Sequence, residues 1–306
     1  MSLAREARVE AQAKLNLVLR VLAREENGYH QIETLFCRIA LSDSVSVRVT
    51  GSERSIECVG PRVPSGGLGT PERNLAWRAA STYAEVTGFP RGFSIAIEKR
   101  IPVGGGLGGG SADAGAVFRA LNALNPRPIA APALLEIASS LGADVPFLTQ
   151  EESPMALGRG HGDRLEILPA LAARAVWLLV PGTGVSTTDA YRWLDAAEPS
   201  APAAPVTRDQ LGSWERVAAM ASNDFEPVVG AAVPLVGRLL ATLRQNEMQA
   251  VLGKESIVLM SGSGSTVAVI SGERPTANWP PFPAIAGVDI LETETSTFVE
   301  PVVLTH

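Results

Sequence analysis

Six of the seven residues from Gly104 to Gly110 are glycine, in the stretch IPVGGGLGGGSADAG. Each glycine gives up roughly 0.5–1 kcal/mol relative to alanine in regular structure, so six together must serve a backbone shape or a close approach that side chains would forbid. The flanks argue against a slack linker. Upstream, Phe93, Ile95 and Ile97 alternate as in a strand; downstream, Val117, Phe118, Leu121 and Leu124 recur at helical spacing, with Ser111 and Asp113 suited to the helix start. The run therefore joins a strand to a helix N-terminus. Exposed amides there, backed by the positive end of the helix dipole, suit phosphate oxygens. A purely structural turn is the alternative.

Two common phosphate loops are excluded or weakened. G-x-x-x-x-G-K-[ST] needs a lysine before its hydroxyl residue, and here Gly110 precedes Ser111. G-x-G-x-x-G is formally matched by Gly104, Gly106 and Gly109, but the acidic residue wanted about twenty positions later is replaced by NPRPIAAPA. What fits without a gap is P-x-x-x-G-L-G-S/G-S/G, carried by Pro102, Gly106, Leu107, Gly108, Gly109, Gly110 and Ser111. This run resembles the ATP loop of the small-molecule kinase family that includes galactokinase, homoserine kinase, mevalonate kinase and phosphomevalonate kinase.

Two further motifs of that family accompany the loop. AQAKLNLVLR places Lys14 among alternating leucines, predicting a strand with Lys14 and Asn16 on the opposite face; only three of the 26 basic residues are lysines (Lys14, Lys99, Lys254). SIVLMSGSGSTVAVI reads as strand, glycine turn, strand. A solvated strand lysine and a plain hairpin are the plainer readings. The segments GYH, LGADVPF, GRGHGD, PGTGVSTTDAY and NDFEP follow in family order, so the similarity spans roughly residues 11 to 270. In these settings they resemble a member whose substrate is a cytidine diphosphate-linked small alcohol on the way to isoprenoid precursors. Departures are an extra Thr183-Gly184 after Pro181 and an Ala- and Pro-rich stretch from Asp195 to Ser213 without a recognisable pattern.

Composition bounds the rest. At 306 residues two lobes are expected, and 46% hydrophobic residues would fill their cores. A net charge of −6 with no basic run argues against a nucleic acid polymer or an anionic membrane as partner. Cys37 and Cys58 are too few for a disulfide framework, MSLAREARVEAQAK has no apolar core for a secretory leader, and no apolar run could span a bilayer, which together point to a cytoplasmic protein. Strands are expected about 14–22, 44–50 and 176–180, helices about 74–87 and around Val217 and Leu235, and a polar crossing between lobes about 151–161. The family resemblance implies an α+β fold with an ATP-binding lobe over 1–161, a substrate-side lobe over 162–291, a cleft between them, and a C-terminal strand (about 292–306) returning to the first lobe.

The resemblance also implies roles. Lys14 and Asp144 would be catalytic, Asp144 as the base for the substrate hydroxyl and Lys14 beside it, holding negative charge that develops in transfer. Pro102, Gly104, Gly105, Gly106, Leu107, Gly108, Gly109, Gly110 and Ser111 would hold ATP, with Asn74 lining the adenine pocket and Ser111 offering its hydroxyl to Mg²⁺. Asn16, Tyr29, His30, Asp144, Thr187 and Tyr191 would meet the substrate. Tyr29 and Tyr191 could sandwich a pyrimidine, stacking being worth about 1–3 kcal/mol, and His30 could read its edge. Plainer readings stand beside these: helix caps for Ser111 and Asp144, a surface turn before Asn74, a core aromatic for Tyr191, a structural histidine for His30, and a loop residue for His161. Oligomeric state, as monomer or weak homodimer, is open. A related kinase for homoserine or mevalonate, a non-catalytic sensor and an ATP-dependent decarboxylase are the competing classes.

Overall fold

A computed structural model describes residues 5–26, 28–197, 204–272 and 284–305. Two long strands, β1 (Glu6–Arg24) and β2 (His30–Thr50), pair antiparallel from Glu6↔Arg48 to Arg24↔His30. Register shifts fall between Gln12 and Lys14 and between Asn16 and Val18, so bulges flank the segment that carries Lys14 and Asn16. The alternation predicted for Lys14 and Asn16 holds, but both faces of the strand are covered: these two residues are as buried as Leu15 and Leu17.

The chain continues through β3 (Arg54–Val59), α1 (Leu75–Thr87), β4 (Gly92–Glu98), α2 (Gly109–Leu124), α3 (Ala131–Ser139), α4 (Val145–Thr149), β5 (Met155–Arg159) and β6 (Arg164–Leu168). The second half holds β7 (Ala175–Pro181), α5 (Thr187–Asp195), α6 (Trp214–Met220), β8 (Ser222–Asn223), α7 (Glu226–Ala232), α8 (Pro234–Leu243), α9 (Asn246–Leu252), β9 (Ile257–Met260), β10 (Val267–Ile270), β11 (Val288–Glu294) and β12 (Val303–Thr305). One sheet runs β12-β1-β2-β4-β3, with β5 on β2, β6 on β5 and β8 on β1; the other runs β11-β7-β10-β9. The mixture of helices and sheets is the expected α+β class.

The buried apolar residues form two clusters, and the first takes in Val176, Leu178, Leu259 and Ile270 of the second sheet as well as residues of the first sheet. Tyr83, Phe93, Phe118, Leu121 and Phe147 fill the first; Trp177, Phe225, Leu240, Met260 and Val269 fill the second. Leu19 and Ile32, from the far end of the β1–β2 pair, belong to the second core, so one hairpin is shared by both halves. The lobe boundary expected at 161/162 falls in the β5–β6 turn, and β6 stays with the first sheet. The polar crossing expected about 151–161 is instead a buried strand: Met155, Ala156 and Leu157 are core residues, and Gly158 lies so close to Phe36 that a Cβ there would be 2.8 Å from the ring. Gly158, in the stretch read as a polar crossing, marks close packing. After β11, Thr295 bridges Ile39 and β12 pairs with β1, carrying the chain back onto the first sheet.

Arg38 is the largest fully buried side chain. It donates to the Phe147 and Gln150 carbonyls at 2.7 and 2.9 Å and lies 5.1 Å from the Phe147 ring, tying β2 to the end of α4. Burial pushes its guanidinium down to about 9, with Arg119 adding to the fall and Glu151 opposing it. Arg38→Met leaves two buried carbonyls without donors, at roughly 1–3 kcal/mol each. Urea unfolding is expected to show a loss of about 3 kcal/mol, only partly recovered by Arg38→Lys, since an ammonium cannot reproduce the planar fork.

Candidate active site

The chain leaves β4 at Glu98, and the glycine run carries it to α2. Gly104, Gly106 and Gly108 have φ of +74°, +79° and +72°, a region that side chains rarely tolerate. A Cβ at Gly106 would overlap the Ser261 carbonyl oxygen in the β9–β10 turn, and one at Gly108 would be 3.0 Å from the Lys14 side chain. Gly108 is the N-cap of α2, without a side-chain cap, so Ser111 sits in the third position of the helix and is not its cap. The first amides of α2 therefore have no partner within the helix.

Both ends of the loop are clamped by a buried charge cluster that the sequence pattern did not single out. Lys99 donates to Asp43 and, at 2.7 Å, to Asp113 in the first turns of α2. The other Asp43 oxygen accepts from the Arg100 and Ile101 amides at 2.5 and 2.8 Å. Two carboxylates share one ammonium, which favours holding one of them in its neutral acid form. Burial, reinforced by Asp43 and opposed by Lys99, pushes Asp113 up to about 8; Lys99 is raised because its two carboxylates outweigh its burial. Asp113, expected to serve the helix start, has this cluster as its partner instead, and its Oδ1 is buried without a hydrogen bond. The only trace in sequence was that a rare lysine directly precedes the loop.

Lys14 projects from β1 under the loop. Its ammonium donates to Asn16 Oδ1 at 2.6 Å and to the Gly106 carbonyl at 3.0 Å, and Asp144 Oδ2 lies 3.3 Å away. An ammonium has three protons, so its third is directed at Asp144. Asn16 is oriented in turn by donating to Thr34 at 2.8 Å. Asp144 stands at the N-cap of α4 but makes no side-chain capping bond; its carboxylate, partly exposed, turns to Lys14. From the other side, Ser261 donates to the Gly106 carbonyl at 3.0 Å, and Asn223 holds the Met260 and Gly262 carbonyls at 2.7 Å each.

Lys14, Asn16 and Asp144 line one cavity of about 570 Å³, with Asn74, Pro102, the glycines, Ser111, Thr187, Tyr191, Phe225 and His161 around it; Tyr29 and His30 are not in its lining. Asn74 is the N-cap of α1, accepting from the Ala76 amide at 2.9 Å. Thr187 opens α5, 3.1 Å from Ser263. The two tyrosines expected to sandwich a pyrimidine are each stacked on a histidine: Tyr29 on His161 at 5.2 Å and Tyr191 on His30 at 4.5 Å. Tyr191 also meets Phe225 edge-on, and its hydroxyl is pushed up to about 12 by burial and the charges of Asp144 and Asp195. His161, read as a plain loop residue, stacks in this group and lies 3.3 Å from Glu25. Among the described residues no group of three or more His, Cys, Asp or Glu is placed to hold a metal, and no helix is long and apolar enough to cross a membrane.

A two-sheet fold with a glycine loop at a helix N-terminus and a Lys-Asp pair beneath it defines a kinase of the GHMP class. Residues 74–152 match the family described as GHMP kinases N terminal domain. A crystal structure of homoserine kinase from Cytophaga hutchinsonii superposes with a TM-score of 0.66 at 17% identity, covering 100% of this chain and 98% of that one, which speaks to the fold alone. The relatives narrow the class. The 4-diphosphocytidyl-2-C-methyl-D-erythritol kinase of Anaeromyxobacter sp. (strain K) is 40% identical over 87% of this chain and 78% of its own length; that of Citrifermentans bemidjiense is 38% identical over 84% and 86%. A crystal structure of 4-(cytidine 5'-diphospho)-2C-methyl-D-erythritol kinase superposes with a TM-score of 0.71 at 32% identity, over 94% of this chain and 98% of that one. The chain belongs to the 4-diphosphocytidyl-2-C-methyl-D-erythritol kinase family.

Two measurements test the loop. Gly106→Ala combines a forbidden φ with backbone overlap and is expected to lose about 2 kcal/mol or more in a thermal or urea melt, together with nucleotide binding. Gly110→Ala, whose Cβ would meet Leu75 at an ordinary 3.6 Å within α2, is expected to melt at or above the wild-type temperature. Asp113 supplies the pH test. Its folded value of about 8 lies above the usual 3.8, so its contribution to stability is complete below about 4 and is lost as the pH rises towards 8. Asp113→Asn cannot titrate, and its melting temperature should fall less than that of the wild type between pH 5 and pH 8.

Proposed function

We propose that this chain transfers the γ-phosphoryl group of ATP to the 2-hydroxyl of 4-diphosphocytidyl-2-C-methyl-D-erythritol, giving the 2-phosphate, in the non-mevalonate route to isoprenoid precursors. The observation that carries the reading is the Lys14–Asp144 pair, 3.3 Å apart and held against the glycine loop, in a chain of this family.

Phosphoryl transfer asks for alignment, neutralisation of charge and a group to receive the hydroxyl proton. The free amides of the loop and of the first turn of α2 bind and orient the phosphates. Asp144 accepts the proton of the attacking hydroxyl, which sits beside it. Lys14 holds Asp144 in place and meets the negative charge on the transferring group; its bonds to Asn16 and Gly106 keep it from turning away. Transfer is direct and in line, without a phosphoenzyme. Mg²⁺, when bound, neutralises phosphate oxygens; the donor set suits a cation that arrives on the nucleotide, with the Ser111 hydroxyl as the protein's ligand. Asn74 borders the adenine end of the cavity, and Thr187 and Tyr191 border the substrate end.

A coupled ADP-release assay with Mg·ATP, offered the cytidyl substrate, homoserine or mevalonate, tests the assignment. Turnover of the cytidyl substrate alone is expected. Asp144→Asn should lower kcat by about 10²–10⁴-fold with little change in the KM for ATP. Failure to turn over the cytidyl substrate overturns the function, and ping-pong kinetics overturns direct transfer.

A further inference from the structure

The segment between β3 and α1 contributes Leu68 and Arg73 to the cavity lining. It starts against the residue that leads into the glycine loop: the Arg62 amide donates to the Lys99 carbonyl at 3.2 Å, and a Cβ at Gly60 would lie 2.7 Å from the same oxygen. It ends in one 3₁₀ turn, Pro71–Arg73, where the Arg73 and Asn74 amides donate to the Thr70 and Pro71 carbonyls at 3.1 and 2.9 Å. Two residues on, Leu75 comes within 3.6 Å of where a Cβ at Gly110 would stand, in the first turn of α2. The backbone of Arg73 is thus fixed near the helix end whose amides lack partners. Its side chain is exposed, and among the described residues it makes no hydrogen bond or ion pair.

The other charges around the cavity make that freedom informative. Lys14, Lys99 and Arg73 are the lysines and arginines of the lining. Lys14 directs its protons at Asn16, the Gly106 carbonyl and Asp144, and Lys99 is held between Asp43 and Asp113. His161 faces Glu25 at 3.3 Å. Arg73 alone has a charge that no neighbour matches.

We propose that Arg73 is a nucleotide ligand, donating to the phosphate chain of ATP and supplying the positive charge that Lys14 and Lys99 have already committed. The proposal rests on nucleotide binding at the glycine loop, as read above. A triphosphate carries more negative charge than one divalent cation cancels, and a guanidinium donates two parallel N–H bonds to phosphoryl oxygens. The diphosphate of the cytidyl substrate is the other source of such oxygens. Arg73 is assigned to the nucleotide because its turn leads into Leu75 and the contact with Gly110, whereas Thr187 and Tyr191 at the substrate end stand on α5. A merely solvated surface arginine would leave the affinity for either ligand unmoved.

Isothermal titration of Mg·ATP into the full-length protein, with no acceptor present, tests this in the wild type, Arg73→Gln and Arg73→Lys. Arg73→Gln is expected to weaken ATP binding about tenfold or more, and Arg73→Lys by less. Added salt should weaken ATP more steeply in the wild type than in Arg73→Gln. Adenosine, which has no phosphate, should bind both alike, and the melting temperature of Arg73→Gln should match the wild type because the side chain has no partner to lose. An unchanged ATP affinity overturns the inference, and so does an equal loss for adenosine, which would place Arg73 at the base. In the coupled assay the KM for ATP should rise while that for the cytidyl substrate stays; the reverse would assign Arg73 to the substrate diphosphate and overturn the inference. A wild type that binds ATP but does not turn over the cytidyl substrate overturns the function alone, and one that binds no ATP overturns both.

Discussion

Backbone packed directly on backbone, between the glycine run and the β9–β10 turn, is the constraint on which the rest of the site depends. Three successive carbonyls of the loop face the scaffold: Gly105 accepts from the Thr266 amide at 3.2 Å, Gly106 from Lys14 and Ser261, and Leu107 from the Lys14 amide at 3.0 Å. In a trans peptide the carbonyl and the following amide point in opposite directions. Fixing these three carbonyls inward therefore turns the amides of Gly106, Leu107 and Gly108 outward, away from the scaffold. The glycines are needed less for flexibility than for contact, because a side chain at Gly106 or Gly108 would push the loop off its supports and release those peptide planes.

Lysine recurs at the two points where charge is buried against this loop, in a chain otherwise rich in arginine. Lys14 meets three acceptors spread around its ammonium, and Lys99 meets two carboxylates from β2 and α2. A compact tetrahedral donor can serve acceptors arriving from different elements; a planar guanidinium fork suits a single carboxylate or carbonyls lying in its plane. Arg38, which bonds two neighbouring carbonyls at the end of α4, is the counterpart that fits that geometry. The choice of cation at each buried position thus follows from the directions of its partners.

What the sequence made legible was local. Alternation exposed the strand through Ile95 and Ile97, helical spacing exposed α2, and the glycines exposed the bend between them, because each signal repeats within a few residues. The α+β fold class was legible through family resemblance. Asp43, Arg38 and Asp195 were not. Their partners lie 56, 109 and 165 positions away, and no periodicity connects a carboxylate on one element to a lysine or imidazole on another. Gly158 shows the opposite failure: a real local signal, a glycine-rich polar stretch, read as a polar crossing between lobes when this glycine was making room for Phe36. The stacking of Tyr29 on His161 and of Tyr191 on His30 was hidden for the same reason as the distant pairs, since which ring faces which is decided by packing between elements far apart in sequence.

The β1–β2 hairpin carries both Lys14 and the Tyr29–His30 pair. Lys14 lies in its middle, beneath the loop, and Tyr29 and His30 lie where the chain turns from β1 into β2. Along a strand, a one-residue slip moves every side chain to the other face. The register of this single pair therefore determines both that Lys14 points under the glycine loop and that His30 meets Tyr191. Bulges on either side of Lys14 and Asn16 lock that register where it matters most. Because Leu19 and Ile32 of the same hairpin are packed into the second core, the register is held from both halves of the protein. A substitution that loosens the hairpin's far end is therefore expected to disturb Lys14 as well as His30.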